Sequence, residues 1–170
     1  PDRTKYMAAL AKHKPRLATV LDWEHEGQLD EVLSWADEAA QHVTEAVIII
    51  PKVFNAIHRL PHEIRGKQVR LGYSVPTKFG ATSTPVWEFY DWPVHLLGGA
   101  PQIQLRLAQY MQVASADGNY ASKMSNQWGQ FFTNGAATKA NNRYWPKMSD
   151  YHRIDQDMPY WAWELSCINI

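Results

Sequence analysis

Apolar residues fall along this chain in five short runs, each closed by polar, glycine or proline positions. The runs are Leu17–Leu21, Ala46–Ile50, Val69–Tyr73, Val94–Leu97 and Gln112–Ser115. Runs of this length fit strands buried on both faces, as in parallel sheets. Periodicity alone leaves buried helix open; length and β-branched content decide for strand. Between the first two runs, Leu29, Val32, Leu33, Ala36, Ala39, Ala40 and Val43 recur at helical spacing. Asp30, Glu31, Asp37 and Glu38 occupy the other face, with acids near the N-terminus where the helix dipole favours them. Val53, Ile57, Leu60 and Ile64 predict a second, short helix broken at Pro61. Pro101–Met111 predicts a helix with proline in its first turn, and Asn119–Phe132 is also helical in pattern. Thr77–Pro93 is rich in Thr, Pro and aromatics and predicts a loop over one face of the sheet, the usual place for a substrate lid.

Strands alternating with helices are the signature of βαβ units and a parallel α/β sheet with right-handed crossovers. Two architectures fit. One is a five-stranded open doubly wound sheet. The other is the C-terminal part of a TIM-type (β/α)8 barrel, which in full needs about 250 residues. Ligands sit at the carboxyl ends of the strands in either. The parallel domain is expected over residues 1–133, with an aromatic-rich extension over 134–170. That extension mixes Tyr144, Trp145, Tyr151, Tyr160, Trp161 and Trp163 with Lys139, Arg143, Lys147 and Arg153. It suits either stacking on nucleic acid or packing over the domain.

Composition narrows the picture modestly. A chain of 170 residues can bury one real core. Lys+Arg and Asp+Glu balance at 17 each, so net charge gives no support for nucleic-acid binding. The lone Cys167 excludes an intrachain disulfide and a multi-cysteine zinc site, and suits a reducing, cytoplasmic setting. No apolar run reaches the roughly 18–20 residues of a membrane span, and no signal peptide is visible. The chain begins at Pro1 rather than at a methionine, which suggests a longer natural N-terminus.

Candidate chemistry lies where the strands stop. The ends are Asp22-Trp23-Glu24-His25, Pro51-Lys52, Ser74 to Gly80 (with Thr77), Gly98-Gly99-Ala100-Pro101 and Asp117-Gly118-Asn119. In a parallel sheet they converge on one edge. Asp22 could instead be a helix cap. Asp117 is freer, because Asn119 is itself a good cap. Gly98-Gly99 is either a tight turn or a place where backbone approaches a phosphate or base. Lys52, Ser74 and Thr77 stand at the mouth of the sheet. His95 lies within a strand and reads as a satisfied core histidine. The other histidines lack metal-ligand spacing, so neither a zinc site nor a cofactor is implied. Two carboxylates at one edge can divide nucleophilic and acid/base work, or read the N–H groups of a purine-like base. With Glu24 they could also hold Mg²⁺ in a nucleotide or phosphoester hydrolase.

Leu21–Glu24, Val47–Lys52, Leu71–Thr77, Val94–Gly99 and Val113–Asn119 together resemble an uncharacterised phage-associated family. That family is similar to the tRNA-guanine transglycosylases and their DNA-modifying deazaguanine relatives. The order of motifs spans roughly residues 17–133. The resemblance implies a TIM barrel that exchanges a guanine for a 7-deazaguanine base, with these strands as the last five of eight. It implies Asp117 as the nucleophile at the sugar C1′, Asp22 as the base reader and Gly98-Gly99 as the base-holding turn. Glu24, Lys52, Ser74, Thr77 and Asn119 would line the pocket. The partner would be nucleic acid, DNA rather than RNA, with no membrane and no cofactor. The zinc-binding cysteine cluster of the tRNA enzymes is absent here. The general-base aspartate of an early strand would lie before Pro1, so preceding residues or a second copy in a homo-oligomer would complete the site. A non-catalytic binding or assembly module stays open beside both enzymatic readings.

Overall fold

A computed structural model describes residues 2–76 and 81–118, together with the backbone of 130–133 and 136–139. The elements are α1 (Arg3–His13), β1 (Leu17–Trp23), α2 (Leu29–Ala40), β2 (Ala46–Pro51), β3 (Glu63–Ile64) and β4 (Lys67–Ser74). They continue with β5 (Pro93–Leu97), α3 (Pro101–Leu107), β6 (Gln112–Ala116), β7 (Gln130–Thr133) and β8 (Ala136–Lys139). The fold is α/β. Five strands pair in parallel in the order β1-β2-β4-β5-β6, and β3 adds antiparallel to β4. β7 and β8 form a separate antiparallel hairpin, which straddles the boundary expected after residue 133.

The strand order is the chain order, without reversal. Every crossover also lands on one face, called here the near face. Val47, Ile49, Val69, Leu71, Tyr73, Val94 and Leu96 bury there in one cluster with α2, Ile57, Leu60, Phe89 and Trp92. Ile103 and Leu107 of α3 pack on the same cluster. The described sheet is therefore open and singly wound. It lacks the switch point of a doubly wound sheet, and its winding is the one a (β/α)8 barrel uses.

All five expected strands form, each within two residues of its expected limits. α2 forms because its apolar stripe is continuous: Val32, Ala36 and Ala39 are fully buried, and Trp35 joins them. The helix expected over Val53–Ile64 does not form. A single 3-10 turn occupies Ile57–Arg59, and Glu63–Ile64 is strand. Arg65 and Gly66 both adopt positive φ (52° and 72°), the two-residue turn that closes a hairpin onto β4. Asn119–Phe132 is also not wholly helical, since Gln130–Thr133 is strand; residues 119–129 lie outside the described residues.

Residues 81–92, the described part of the connection before β5, form the expected loop over one face of the sheet and are packed against it. Phe89 is fully buried and meets Tyr73 edge-on at 5.1 Å, and Trp92 is buried under a stacked His62 at 3.9 Å. Apolar burial pulls this segment onto the near face, where it stands in for a crossover helix. α1, unexpected from the pattern, docks Met7 and Leu10 into the cluster, and Tyr6 Oη donates to the Thr19 carbonyl. Its stripe is too sparse for periodicity to find.

Candidate functional site

The opposite, far face of the sheet carries the polar groups. β1 has a bulge between Thr19 and Asp22: Thr19 pairs with Ile48, yet Asp22 pairs with Ile50. Asp22 is thereby aligned with Ile50 on the far face, while Trp23 is fully buried in the near-face cluster. Gly72 pairs with His95, and His95 with Ser115, in the same row. A Cβ on Gly72 would meet Ile50 Cγ1 at 2.6 Å and Leu97 Cδ1 at 3.1 Å. Side chains of both flanking strands thus fill the space that a side chain at position 72 would need. Two residues beyond Ser115, strand alternation returns Asp117 to the far face.

Two groups stand on this carboxyl edge. In the first, Lys52 Nζ lies 2.6 Å from Asp22 Oδ2 and 3.1 Å from Glu24 Oε1. The hydrogen bond to Asp22 holds the Lys52 pKa above its ordinary 10.5; burial opposes this and Glu24 adds to it. The ammonium therefore stays charged at neutral pH, suited to anchoring an anion and unsuited to acting as a base. In the second group, Asp117 Oδ1 accepts the Gly98 N–H. Gln104 Nε2 donates to the Gly98 carbonyl at 2.7 Å and to the Asp117 carbonyl at 2.8 Å. Gln104 is almost fully buried, so this amide locks the end of β5 to the end of β6. Nothing in its spacing marks it in the sequence. Gln104→Leu keeps the volume but strands two carbonyls. It is expected to lower unfolding stability by about 1–3 kcal/mol, read from a urea midpoint.

Asp22 and Asp117 thus share a face and an edge, Asp22 near the end of the first and Asp117 just past the end of the last of the five parallel strands. Four strand spacings separate them, roughly 19 Å measured along the sheet. Ser74 lies between them at the end of β4. The segment Thr82–Thr84 also runs along this edge, which spacing did not reveal. Thr84 Oγ1 donates to the Pro51 carbonyl at 3.2 Å, and Ser83 Oγ to that of Lys52 at 2.9 Å. Thr77 and Asn119 lie outside the described residues, as do Cys167 and the aromatic extension beyond residue 139. Among the described residues, no three His, Cys, Asp or Glu side chains gather to hold a metal ion.

Beneath the edge lies a buried polar strip. Arg70 reaches Ser115 Oγ at 3.1 Å and pairs with Glu45, and Ser115 Oγ lies 2.8 Å from His95 Nδ1. His95 is the satisfied core histidine that its place in a strand suggests. Burial lowers its pKa below the ordinary 6.5; the Asp117 charge opposes the shift and Arg70 adds to it. Below pH 6.5 the unfolded chain takes up a proton that folded His95 refuses. This contribution to stability is therefore complete above pH 6.5 and declines as pH falls toward the folded value. Thermal unfolding followed against pH should show that decline in the native chain, and His95→Asn should flatten it.

Among the described residues, a singly wound, mostly parallel α/β sheet with two carboxylate groups on one carboxyl edge defines the class. More particularly, the chain belongs to a family of unknown function (DUF6610), whose model matches residues 1–157. No curated protein and no solved structure matches it. Among the described residues, no helix is long and apolar enough to cross a membrane.

Proposed function

We propose that this chain is a transglycosylase-like domain that exchanges a guanine for a 7-deazaguanine base in nucleic acid, specifically phage DNA. The observation that carries the reading is the pairing of Asp117 with the Gly98-Gly99 turn at the carboxyl edge, on the same face as Asp22. Single winding in chain order supports it as well, being the winding of the barrel that this chemistry uses elsewhere.

In this reading one Asp117 oxygen is oriented by the Gly98 N–H and the other attacks C1′ of the sugar. A C1′–O bond forms as the C1′–N bond to guanine breaks, and the departing base takes the electron pair and a proton. The incoming base then gives up a proton and attacks C1′, releasing the carboxylate. Asp22, with one oxygen held by Lys52, keeps the other for a base N–H. Glu24, Ser74, Thr77 and Asn119 complete the lining. The nucleotide would lie across the ends of β2, β4 and β5. A general acid/base group other than the residues named would pass the proton between the two bases.

The test is to incubate the protein with DNA and a labelled deazaguanine base; incorporation that Asp117→Ala leaves untouched would end the nucleophile assignment. A second reading has one observation in its favour. The Gly98 N–H on the Asp117 carboxylate is equally a strut in a non-catalytic module. No comparable observation favours a metal-dependent hydrolase, since an ammonium already bridges Asp22 and Glu24.

A further inference from the structure

The near face carries a cavity of about 270 Å³ between the two crossovers that lack long helices. Its buried lining is Ile57 and Trp92. Trp87, also part of the lining, is 62% exposed, an unusual position for an indole. Two carboxylates, Glu88 and Asp91, complete that side. The Asn55 N–H donates to Glu88 Oε1 at 2.9 Å and ties one crossover to the other. Asp91 has no ion pair or hydrogen bond through its carboxylate among the described residues. Arg59, next in sequence to the lining residue His58, is engaged elsewhere, 3.5 Å from Glu26 and over the Trp23 ring.

An exposed indole beside carboxylates that form no ion pair among the described residues repels phosphate and attracts an organic cation. The volume is below the roughly 300–1,000 Å³ of sites for drug-sized ligands, so it suits one side-chain head. A planar guanidinium can stack on an indole while forking to carboxylates, which an ammonium cannot do. Phe54 and Tyr90, adjacent in sequence to the lining, are 65% and 43% exposed and offer apolar contact to chain on either side of such a head. We propose that this cavity binds an arginine side chain presented by a partner protein segment, with Trp87 as the stacking surface and Asp91 and Glu88 as the acceptors. The site is on the opposite face of the sheet from Asp22 and Asp117 and stands whether or not the base-exchange reading does.

Calorimetric titration of the full chain with a blocked pentapeptide bearing a central arginine between leucines tests this. Binding is expected for that peptide, and not for the same peptide with glutamine at the centre. Trp87→Ala should weaken it by about 3- to 10-fold and Asp91→Asn by about 10-fold. Neither side chain makes a hydrogen bond or ion pair among the described residues, so the variants should fold, which an amide NMR spectrum checks. Agmatine alone should bind more weakly than the peptide. Absence of binding at millimolar peptide, equal binding of the glutamine peptide, or variants that bind as the native chain does would each overturn the proposal. So would agmatine binding as tightly as the peptide, which would mark a small free guanidinium compound as the ligand. An oligothymidine that binds here, and binds tighter to the Asp91→Asn variant, would overturn it in favour of nucleic acid.

Discussion

Under the proposed function, Asp117→Asn is expected to abolish base exchange while leaving the fold almost untouched. Asparagine keeps the oxygen that accepts the Gly98 N–H, so unfolding stability should stay within about 1 kcal/mol of the native chain. It cannot serve as the nucleophile, and removing a nucleophile costs on the order of 10³-fold or more in rate. Asp117→Ala removes both functions. It should lose the rate and also about 1–3 kcal/mol, because the Gly98 N–H is left without its acceptor. The pair of variants separates the two readings of this residue. An asparagine variant that exchanges base at the native rate would leave Asp117 as a strut only. Single-turnover incorporation of labelled base, beside urea unfolding of the same preparations, gives both numbers.

Gly99→Ala carries the largest expected loss of stability. Gly99 sits at φ +83°, and a Cβ there would lie 2.6 Å from Val75 Cβ and closer still to its Cγ1. Val75 is itself buried and cannot yield. Left-handed backbone and overpacking act together, for about 2–4 kcal/mol. Gly98→Ala is the comparison. Its φ is +62°, but among the described residues nothing lies within 4 Å of the added carbon, so only the backbone term applies, about 1–2 kcal/mol. Urea midpoints that reverse this order would show that the turn relaxes away from Val75. The two glycines look alike in sequence and serve differently: Gly99 permits close approach, and Gly98 presents a free surface beside Asp117.

The strands were legible because burial on both faces leaves short, continuous apolar runs such as Ala46–Ile50, which is buried throughout. α2 was legible because one stripe repeats for three turns. Of the connections that do without a long helix, Thr77–Pro93 was legible as a loop over one face, whereas Val53–Ile64 was misread as helix. Phe89 and Trp92 cover the sheet as single large side chains, so they do the work of a stripe without its period. The candidate site was legible as far as strand ends predict it: Asp22, Lys52, Ser74 and Asp117 do fall at one edge. Their side of the sheet was not, because it depends on the bulge in β1, and counting alternate residues from Thr19 would have put Asp22 on the near face. Gln104 was invisible for another reason. Its partners are backbone carbonyls, which every residue has, so no pairing pattern in the sequence announces it.

Chain-order winding also sets how the sheet can assemble. Each parallel pairing joins strands that follow one another, at separations from 19 residues (Pro93 to Gln112) to 29 (Leu17 to Ala46). No parallel strand waits for a distant partner, so the sheet can grow from β1 as the polypeptide emerges, adding one strand per crossover. Loop closure then adds a similar entropic cost at every step. The same economy leaves a growing edge of unpaired backbone at each stage, and that edge is the species most open to pairing with another nascent chain.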